Sequence, residues 1–192
     1  MSFFDSFSGA NKKSESVVLI DIGTGSVAGA YARYTEGELP VMLYTRRLPI
    51  TIRIDEPHAN AMLRALGILG DALIHEGAPV LLRATGRGST DTVLVSVDAP
   101  WQRTSIRTEY FEQKEPFIFT KQLVQAALAQ TSTAPAGQLL ADESIIGTIL
   151  NGYETKDPYG KEAHRASVVI LTSLINEHVA KGIRSVISGL YQ

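Results

Sequence analysis

The segment 16–34 reads SVVLIDIGTGSVAGAYARY and holds the one spacing in the chain with a specific chemical interpretation. Its residues 17–20 form a continuous apolar run rich in β-branched side chains, which predicts a strand buried on both faces. Asp21 ends the run, and residues 22–26 then supply two glycines and two hydroxyl groups. Because the backbone can approach a ligand closely at glycine and its N–H groups can point at an anion, the segment predicts a phosphate-binding loop.

A carboxylate at the start of this loop sets a condition on the ligand. Asp21 would repel a bare phosphate, so its position makes sense if a cation such as hydrated Mg²⁺ lies between the two charges. The alternative is an ordinary glycine-rich hairpin turn in which Asp21 bonds its own backbone. The candidate contacts to phosphate and metal-bound water are Asp21, Gly23, Thr24, Gly25 and Ser26, with Asp21 reaching the metal through water.

Two phosphate-binding designs are compatible with the glycines, and residues 27–34 distinguish them. A dinucleotide-binding unit needs a helix that begins at the glycine-rich turn, and Arg46 and Arg47 could then hold the 2′-phosphate of NADP in a Rossmann oxidoreductase. Residues 27–34 contain three small residues, a glycine and two tyrosines, and then stop at a turn at 35–40, so a helix here would be short and poor. The sequence favours a hairpin with a third strand at 41–48, in which the two arginines form a solvated strand end.

The hairpin design resembles a known family. Strand, DxGTGS turn and strand is the pattern of the first phosphate loop of the actin-like ATPases, and residues 21–26 are similar to it. In that family the loop amides and hydroxyls face the nucleotide phosphates, and the Asp orders water around the metal. The resemblance therefore implies ATP and Mg²⁺ as cofactors, held by the five candidate residues above.

The next part of the chain predicts a helix and then two strands. Pro57 marks the helix start, and an apolar repeat marks its buried face, at Met62, Leu66, Leu69 and Leu73. Gly77 is predicted to end the helix in a left-handed cap, with His75 interacting with the dipole of the last turn. The predicted strands are residues 79–83 and 92–97, and the second glycine-rich segment between them, 84–89, is expected to be a mobile surface loop.

From Pro100 the pattern changes. Residues 101–111 predict a half-solvated strand, and residues 114–116 are predicted to break it. Trp101 is expected to be a core or subdomain-edge residue. Thr120 can cap a helix at 121–130, and Asn176 can cap a final helix. Between these helices, residues 143–155 and 164–174 predict two long strands.

The block 120–189 resembles the inserted subdomain of the FtsA family, bacterial cell-division proteins with an actin-like fold and an extra strand-helix-strand-strand module. The stretch GYETKDPYGKEA at 152–163 is similar to the family's connection between its two long strands. Thr155 departs from the family, which usually has Asp there, and the family's second phosphate loop has no counterpart in this chain. The type IV pilus protein PilM shares the fold and the first loop, so a PilM-like protein is the related alternative.

The expected fold is α/β, an actin-like (ribonuclease H-like) first lobe with an inserted strand-helix-strand-strand (SHS2-type) subdomain. Residues 1–15 are expected to form a flexible tail. Residues 16–98 plus 176–192 are assigned to the first lobe, and residues 99–175 to the inserted interaction subdomain.

The resemblance implies an FtsA-like scaffold that binds ATP and Mg²⁺, or a PilM-like pilus assembly scaffold. Residues 143–174 are expected to mediate self-association and the binding of a division or pilus assembly protein, because their apolar side chains exceed what one short helix can bury. Those side chains are Ile145, Ile149, Val168, Ile170 and Leu174. A cytoplasmic protein is expected, at the inner face of the membrane, with peripheral membrane association of the full-length protein.

The sequence also limits the expected catalytic activity and argues against several other classes of function. One loop supplies one side of a phosphoryl-transfer site, so at most a weak ATPase is expected in the full-length protein and no turnover by this chain alone. An interaction domain with a vestigial loop is the remaining alternative. The net charge of −2 gives no electrostatic footprint for nucleic acid, the four histidines show no paired zinc spacing, and there is no cysteine. No continuous apolar run approaches the ~18 residues that span a bilayer.

Overall fold

The computed structural model describes residues 14–131 and 134–191, and it shows a mixed α/β protein with two four-stranded sheets. The predicted α/β class is confirmed. The chain divides into two compact units, one comprising Met1–Trp101 with Lys181–Gln192 and the other Gln102–Ala180. Most of the tail predicted at 1–15 lies outside the described residues, but Ser14 and Glu15 belong to the first strand.

Four strands form the sheet of the first unit: β1 (Ser14–Ile22), β2 (Ser26–Thr35), β3 (Val41–Pro49) and β4 (Thr92–Val97). Their order across the sheet is β3-β2-β1-β4. β1 pairs antiparallel with β2 and parallel with β4, and β2 pairs antiparallel with β3. In the apolar run of β1, Val17, Val18 and Ile20 are buried as predicted, whereas Leu19 is only half-buried.

Residues 27–34 are a strand. β1 and β2 pair without interruption from Ser14 opposite Thr35 to Ile22 opposite Val27. The alternative of an NADP-binding Rossmann unit required a helix here and is therefore wrong. Pairing of β2 on both sides outweighs the helix preference of its alanines, and β2 carries Tyr31 in the core.

The helix that follows is longer than predicted. It consists of α1 (His58–Ala72), a π turn (Leu73–Gly77) and α2 (Ala78–Thr85). Gly77 has right-handed dihedrals, φ −84° and ψ −43°, so the predicted cap at this residue is wrong. Gly86 provides the left-handed cap instead, with φ 76° and its N–H donated to the Leu82 carbonyl at 2.8 Å.

The strand predicted at 79–83 is also wrong, because these residues lie in α2. Pro79 suggested a break, since proline removes the hydrogen bond to the residue four positions earlier. Here it lies in the first turn of α2, directly after the wider π turn. His75 is consequently inside the helical segment, with Nδ1 2.8 Å from the Asp71 carbonyl oxygen, and not in a last turn. The predicted face of Met62, Leu66, Leu69 and Leu73 is confirmed as fully buried.

Two glycines allow another helix, α4 (Glu177–Leu190), to approach α1 closely. A Cβ built on Gly70 would lie 2.0 Å from Leu190 Cδ1, and one on Gly182 would lie 2.6 Å from Leu63 Cδ1. The start of α4 is capped as predicted, since Asn176 Oδ1 accepts the N–H of His178 at 2.9 Å.

The helical segment His58–Thr85 is long and apolar enough to cross a membrane by length and composition alone. A search for uninterrupted apolar runs misses it because Arg64 and Asp71 interrupt the sequence. Part of the segment is a core helix, since Leu66, Leu69 and Leu73 are buried within the protein.

The second unit contains the other sheet and one further helix. Its elements are β5 (Gln102–Ile118), α3 (Lys121–Thr131), β6 (Gln138–Leu150), β7 (Tyr153–Glu154) and β8 (Glu162–Asn176). The strands are antiparallel in the order β5-β8-β6-β7. Thr120 caps α3 as predicted, since its Oγ1 accepts the N–H of Leu123 at 3.2 Å.

Two strand boundaries of this sheet differ from the prediction. Residues 114–116 do not end β5; the register shifts between Glu112 and Phe117 and the strand continues. The strand predicted at 143–155 begins earlier, at Gln138. It also ends earlier, at Leu150, because Asn151 and Gly152 adopt positive φ values of 50° and 91° and turn the chain into β7.

The core of the second unit corrects the burial expected for β8. Val168 and Ile170 are fully buried, in one cluster with Phe119, Val124 and Leu150, and Leu174 is buried as well. The expectation that these three residues are docking side chains is therefore wrong. The reason is the strand order: β8 is central between β5 and β6, so alternate side chains face α3. Ile145 remains exposed and Ile149 is half-buried.

Candidate functional site

The five candidate residues lie on the hairpin between β1 and β2. Residues 23–25 form its tip, where the Gly23 N–H donates to the Ser26 carbonyl at 3.0 Å. The Ile50 N–H donates to the Gly25 carbonyl at 2.9 Å and holds the other side of the tip. The loop is therefore a tight hairpin between two strands.

A turn at residues 98–101, directly after β4, holds the loop from a second side. The Asp98 N–H donates to the Ile22 carbonyl at 2.9 Å, and Thr24 Oγ1 donates to the Ala99 carbonyl at 2.7 Å. Trp101 Nε1 donates to the Gly23 carbonyl at 2.9 Å. Since β4 runs parallel to β1, the loop and this turn meet at the carboxyl ends of two parallel strands, which is where open α/β sheets bind ligands.

Trp101 is a structural residue of the site. Its side chain is only 6% exposed, and its ring centroid lies 4.6 Å from that of His58. Of the two placements expected for Trp101, core or subdomain edge, its burial agrees with the core. A buried indole that donates to the loop carbonyl fixes the position of the glycine backbone.

Two amides of the loop remain available. Within the described part of the chain, the N–H groups of Thr24 and Gly25 have no hydrogen-bond partner. A Cβ built on Gly25 would meet no atom within 4 Å, and the residue has no positive φ, so folding does not require glycine there. Both residues are exposed, so the two free N–H donors can bind an anion.

The hydroxyl groups of the loop are already engaged. Thr24 uses its proton on the Ala99 carbonyl, and Ser26 Oγ accepts from Arg47 Nη1 at 2.7 Å. Sequence analysis had offered both hydroxyls to the ligand. The structure leaves the backbone amides as the principal donors, with the Ser26 hydroxyl proton in addition.

Arg47 joins the site through the strand register. Asp21 lies opposite Ala28, which lies opposite Arg47, so the two charged residues share one face of the sheet. Arg47 Nη2 lies 3.6 Å from Asp21 Oδ2. Arg46 points to the other face, where its Nη1 lies 3.8 Å from Glu76 Oε2. The prediction that both arginines form a solvated strand end therefore missed the two contacts of Arg47, with Ser26 and with Asp21.

Asp98 is a second residue that sequence analysis missed. It follows β4 directly, as Asp21 lies at the end of β1, and its side chain is exposed. The signal was present in the sequence, since Asp98 ends the apolar run of 92–97. Its position adds a carboxylate to the same sheet edge as the loop.

The same face of the sheet carries a groove of about 610 Å³. Asp21 and Arg47 line it together with small and apolar residues, Leu19, Ala28, Ala30 and Leu94 among them. No group of three or more His, Cys, Asp or Glu side chains that could hold a metal occurs in the described residues. A metal at the loop would therefore have at most two protein carboxylates, Asp21 and Asp98, and would need its other ligands from phosphate or water.

Taken by its fold, the chain is an α/β protein with a clamped glycine-rich hairpin loop. No protein-family model and no curated protein matches it. A solved structure from Bacteroides thetaiotaomicron, described as a protein with an actin-like ATPase fold and unknown function, matches with 7% identity and a TM-score of 0.36. The match covers 91% of this chain and 49% of that one, so the chain spans about half the length of that protein. A match this distant carries no argument about individual residues.

Proposed function

We propose that this chain is an actin-like first lobe with an inserted module, of the FtsA type, and that it binds ATP with Mg²⁺ at the loop of residues 23–25. The observation that carries the proposal is the pair of unpartnered amides of Thr24 and Gly25, two exposed residues in the loop that follows β1 and its Asp21. The β1-β2 hairpin, which the resemblance to the actin-like ATPases required, supports the same conclusion.

The loop residues have distinct roles in this proposal. The amides of Thr24 and Gly25 donate to phosphate oxygens, and the Ser26 hydroxyl can donate as well, since Arg47 uses only its lone pair. Asp21, 45% exposed, faces the metal through water. Bound Mg²⁺ would supply the positive charge that lets the carboxylate and the phosphates lie close together. Gly23 is fixed by its own two hydrogen bonds, so it shapes the loop.

Hydrolysis is not part of the role of this chain alone. Phosphoryl transfer is catalysed by charge stabilisation and positioning from several sides, and one loop supplies one side. The full-length protein would be at most a weak ATPase. Its role is that of a scaffold in the cytoplasm, at the inner face of the membrane and associated with it peripherally.

The second unit carries the proposed partner surface. Its elements follow the order strand, helix, strand, strand of an SHS2-type module, with the short β7 added. Within residues 143–174, the exposed apolar side chains are Ile145, Ile146, Tyr153 and Tyr159. We assign self-association and the binding of a division protein to this surface. Charge reversal at the exposed Lys161, as Lys161→Glu, is expected to weaken assembly and to change the melting temperature by less than about 2 °C.

A PilM-like pilus assembly scaffold is the related alternative, because PilM shares the fold and the first phosphate loop. Identification of the captured partner, a division protein or a pilus assembly protein, distinguishes the two. Unchanged assembly across a panel of surface charge reversals in residues 143–174 would show that this part of the module is structural.

The nucleotide proposal is tested by titrating the full-length protein with a fluorescent ATP analogue, with and without Mg²⁺. Wild type is expected to bind more tightly with Mg²⁺. Asp21→Asn is expected to lose that difference, because the carboxylate is the metal-directed group. A wild-type protein that fails to bind would show an interaction domain with a vestigial loop, and a Mg²⁺ effect that persists in Asp21→Asn would remove Asp21 from the metal site.

A further inference from the structure

The strand β5 lies at the edge of the sheet of the second unit. It pairs with β8 along one side, and no other strand among residues 14–131 and 134–191 pairs with its second side. An edge strand presents a row of backbone N–H and C=O groups that can pair with another chain.

The two halves of β5 differ in how well they are protected against pairing with a strand of another chain. Beyond Glu112 the register shifts, and charged residues and Pro116 follow, which are devices that block edge pairing. Residues 102–112 keep an unbroken register with β8, from Gln102 opposite Ile175 to Glu112 opposite Arg165, and contain no proline. The first half is therefore a long, regular and unblocked edge.

This open half exposes two large apolar side chains. Ile106 is 64% exposed and Tyr110 is 79% exposed. They lie opposite Leu171 and Ser167, so they share the sheet face that points away from the buried Val168 and Ile170. Exposed apolar residues on a free edge are typical of an interface.

The sequence of the open half is complementary to itself. If two copies pair antiparallel about a two-fold axis at Thr108, Ile106 lies opposite Tyr110 of the second copy, and Arg107 lies opposite Glu109 of the second copy. Both pairs occur twice by symmetry. Arg107 already contacts Glu109 and Glu143 in its own chain, so the pairing would extend an alternating row of charges. Cross-strand pairs of these kinds stabilise sheets.

The neighbouring registers are worse. An axis at Arg107 places that residue opposite its own copy, and an axis at Glu109 does the same for the carboxylate, so like charges would face each other. An axis at Ile106 pairs Arg103 with Glu109 but leaves Tyr110 opposite Gln102. The charge and apolar patterns therefore select the axis at Thr108.

We propose that two copies of this chain pair through residues 102–112 of β5, antiparallel about a two-fold axis at Thr108, and so join their two sheets into one. This interface is a second contact between copies, in addition to the surface of residues 143–174, and it is separate from the nucleotide loop. An interface of one strand pair is small, so a dissociation constant of roughly 1–100 µM is expected.

The absence of cysteine from the sequence allows a direct test of the register. Directly opposite residues in an antiparallel pair have Cα atoms about 4.5–5.5 Å apart, within the range of a disulfide. Thr108→Cys is therefore expected to cross-link two chains under mild oxidation. The control is Thr104→Cys on the same strand face, whose two copies would be about eight residues apart along the ladder, roughly 27 Å, and should not cross-link.

Sedimentation of the 192-residue chain tests the dimer itself. Wild type is expected to dimerise at about 100 µM, from the affinity range above. Tyr110→Lys is expected to shift the chain towards monomer, and the control Leu39→Lys, at a residue that is 87% exposed between β2 and β3, is expected to leave the dimer intact. A monomeric wild type at this concentration, or equal cross-linking at positions 104 and 108, would overturn the proposal.

Discussion

Asp21 and Arg47 are brought together by the register of three strands, with Arg47 Nη2 3.6 Å from Asp21 Oδ2. The same guanidinium donates to Ser26 Oγ at 2.7 Å, so it bridges the two ends of the hairpin loop. Both charged side chains are well exposed, at 45% for Asp21 and 64% for Arg47. Exposed pairs contribute about 0–1 kcal/mol to stability, so the importance of Arg47 lies in the charge that it places beside the loop.

Arg47→Gln is expected to weaken the binding of metal-free ATP more than the binding of Mg-ATP. Without metal, Arg47 is the cation in contact with the loop residues, whereas Mg²⁺ supplies that charge when it is bound. The control is Arg46→Gln, since Arg46 contacts Glu76 on the other face. Titrations with and without Mg²⁺ measure both variants, and equal effects at the two positions would show that Arg47 acts only through general charge.

Gly77→Ala is expected to destabilise the protein although alanine favours helix. The gain in helix propensity is about 1 kcal/mol. Against it, a Cβ at Gly77 would lie 2.7 Å from the Tyr31 ring and 2.9 Å from the Tyr44 ring, and Tyr31 is buried, so overpacking of about 1–3 kcal/mol or more is expected. Gly67→Ala in α1 is the control, because its Cβ meets nothing within 4 Å and should stabilise the helix. Urea unfolding that moves both variants in the same direction would contradict this account of the π turn.

Trp101→Phe is expected to lower the free energy of unfolding by about 1–3 kcal/mol, because the Gly23 carbonyl loses a buried donor. Thr24→Val removes an exposed hydrogen bond from the same loop and should cost about 1 kcal/mol or less. Thermal or urea unfolding measures the difference. If Thr24→Val were the more damaging change, the tryptophan would not be what holds the loop.

The pair of Glu56 and Arg64 predicts a loss of stability in acid. Glu56 accepts two hydrogen bonds from Arg64, at 3.0 and 2.8 Å, and one from the Arg53 N–H at 3.0 Å. The Arg64 hydrogen bonds, and then the Arg53 backbone hydrogen bond, lower the pKa of Glu56 from 4.5 to about 2. Because the folded pKa is the lower one, this stabilisation is complete above pH 4.5 and is lost as the pH falls towards 2.

Glu56→Gln should therefore lower the melting temperature at pH 7 and reduce the further loss between about pH 4.5 and pH 2.5. Melting curves at several pH values measure both effects, and Glu162→Gln, at an exposed position, is the control. An acid profile of Glu56→Gln parallel to that of wild type would assign the acid loss to other groups.

Local signals predicted much of this fold. The run at 17–20 and the small residues after the glycines predicted the β1-β2 hairpin, and 92–97 was predicted with the bounds of β4. Thr120 and Asn176 predicted their helix starts because the capping side chain is itself the local interaction.

The errors come from interactions distant in sequence. Gly77 looks like a helix stop, but it is needed where the helix passes the rings of Tyr31 and Tyr44. Val168 and Ile170 look available for partners because the alternation in β8 does not reveal that this strand is central.

In the candidate site too, the local features were predicted and the features that depend on distant residues were missed. The loop residues are contiguous and were found from their spacing. Arg47 and the turn at 98–101 join them through strand register and the parallel β1-β4 pair, so no short motif contains them. Thr24 and its partner Ala99 are 75 positions apart in the chain.

The most direct test of nucleotide binding compares two valine substitutions in glycine-rich loops. At both Gly25 and Gly88 a Cβ would meet open space, and neither residue has a positive φ, so Gly25→Val and Gly88→Val should both fold. At Gly25 the branched side chain would occupy the space beside the free amides, whereas Gly88 lies in the loop after α2. The measurement is equilibrium binding of ATP with Mg²⁺ to the full-length protein. The account predicts that wild type and Gly88→Val bind alike and that Gly25→Val does not bind; undiminished binding by a folded Gly25→Val protein would contradict it.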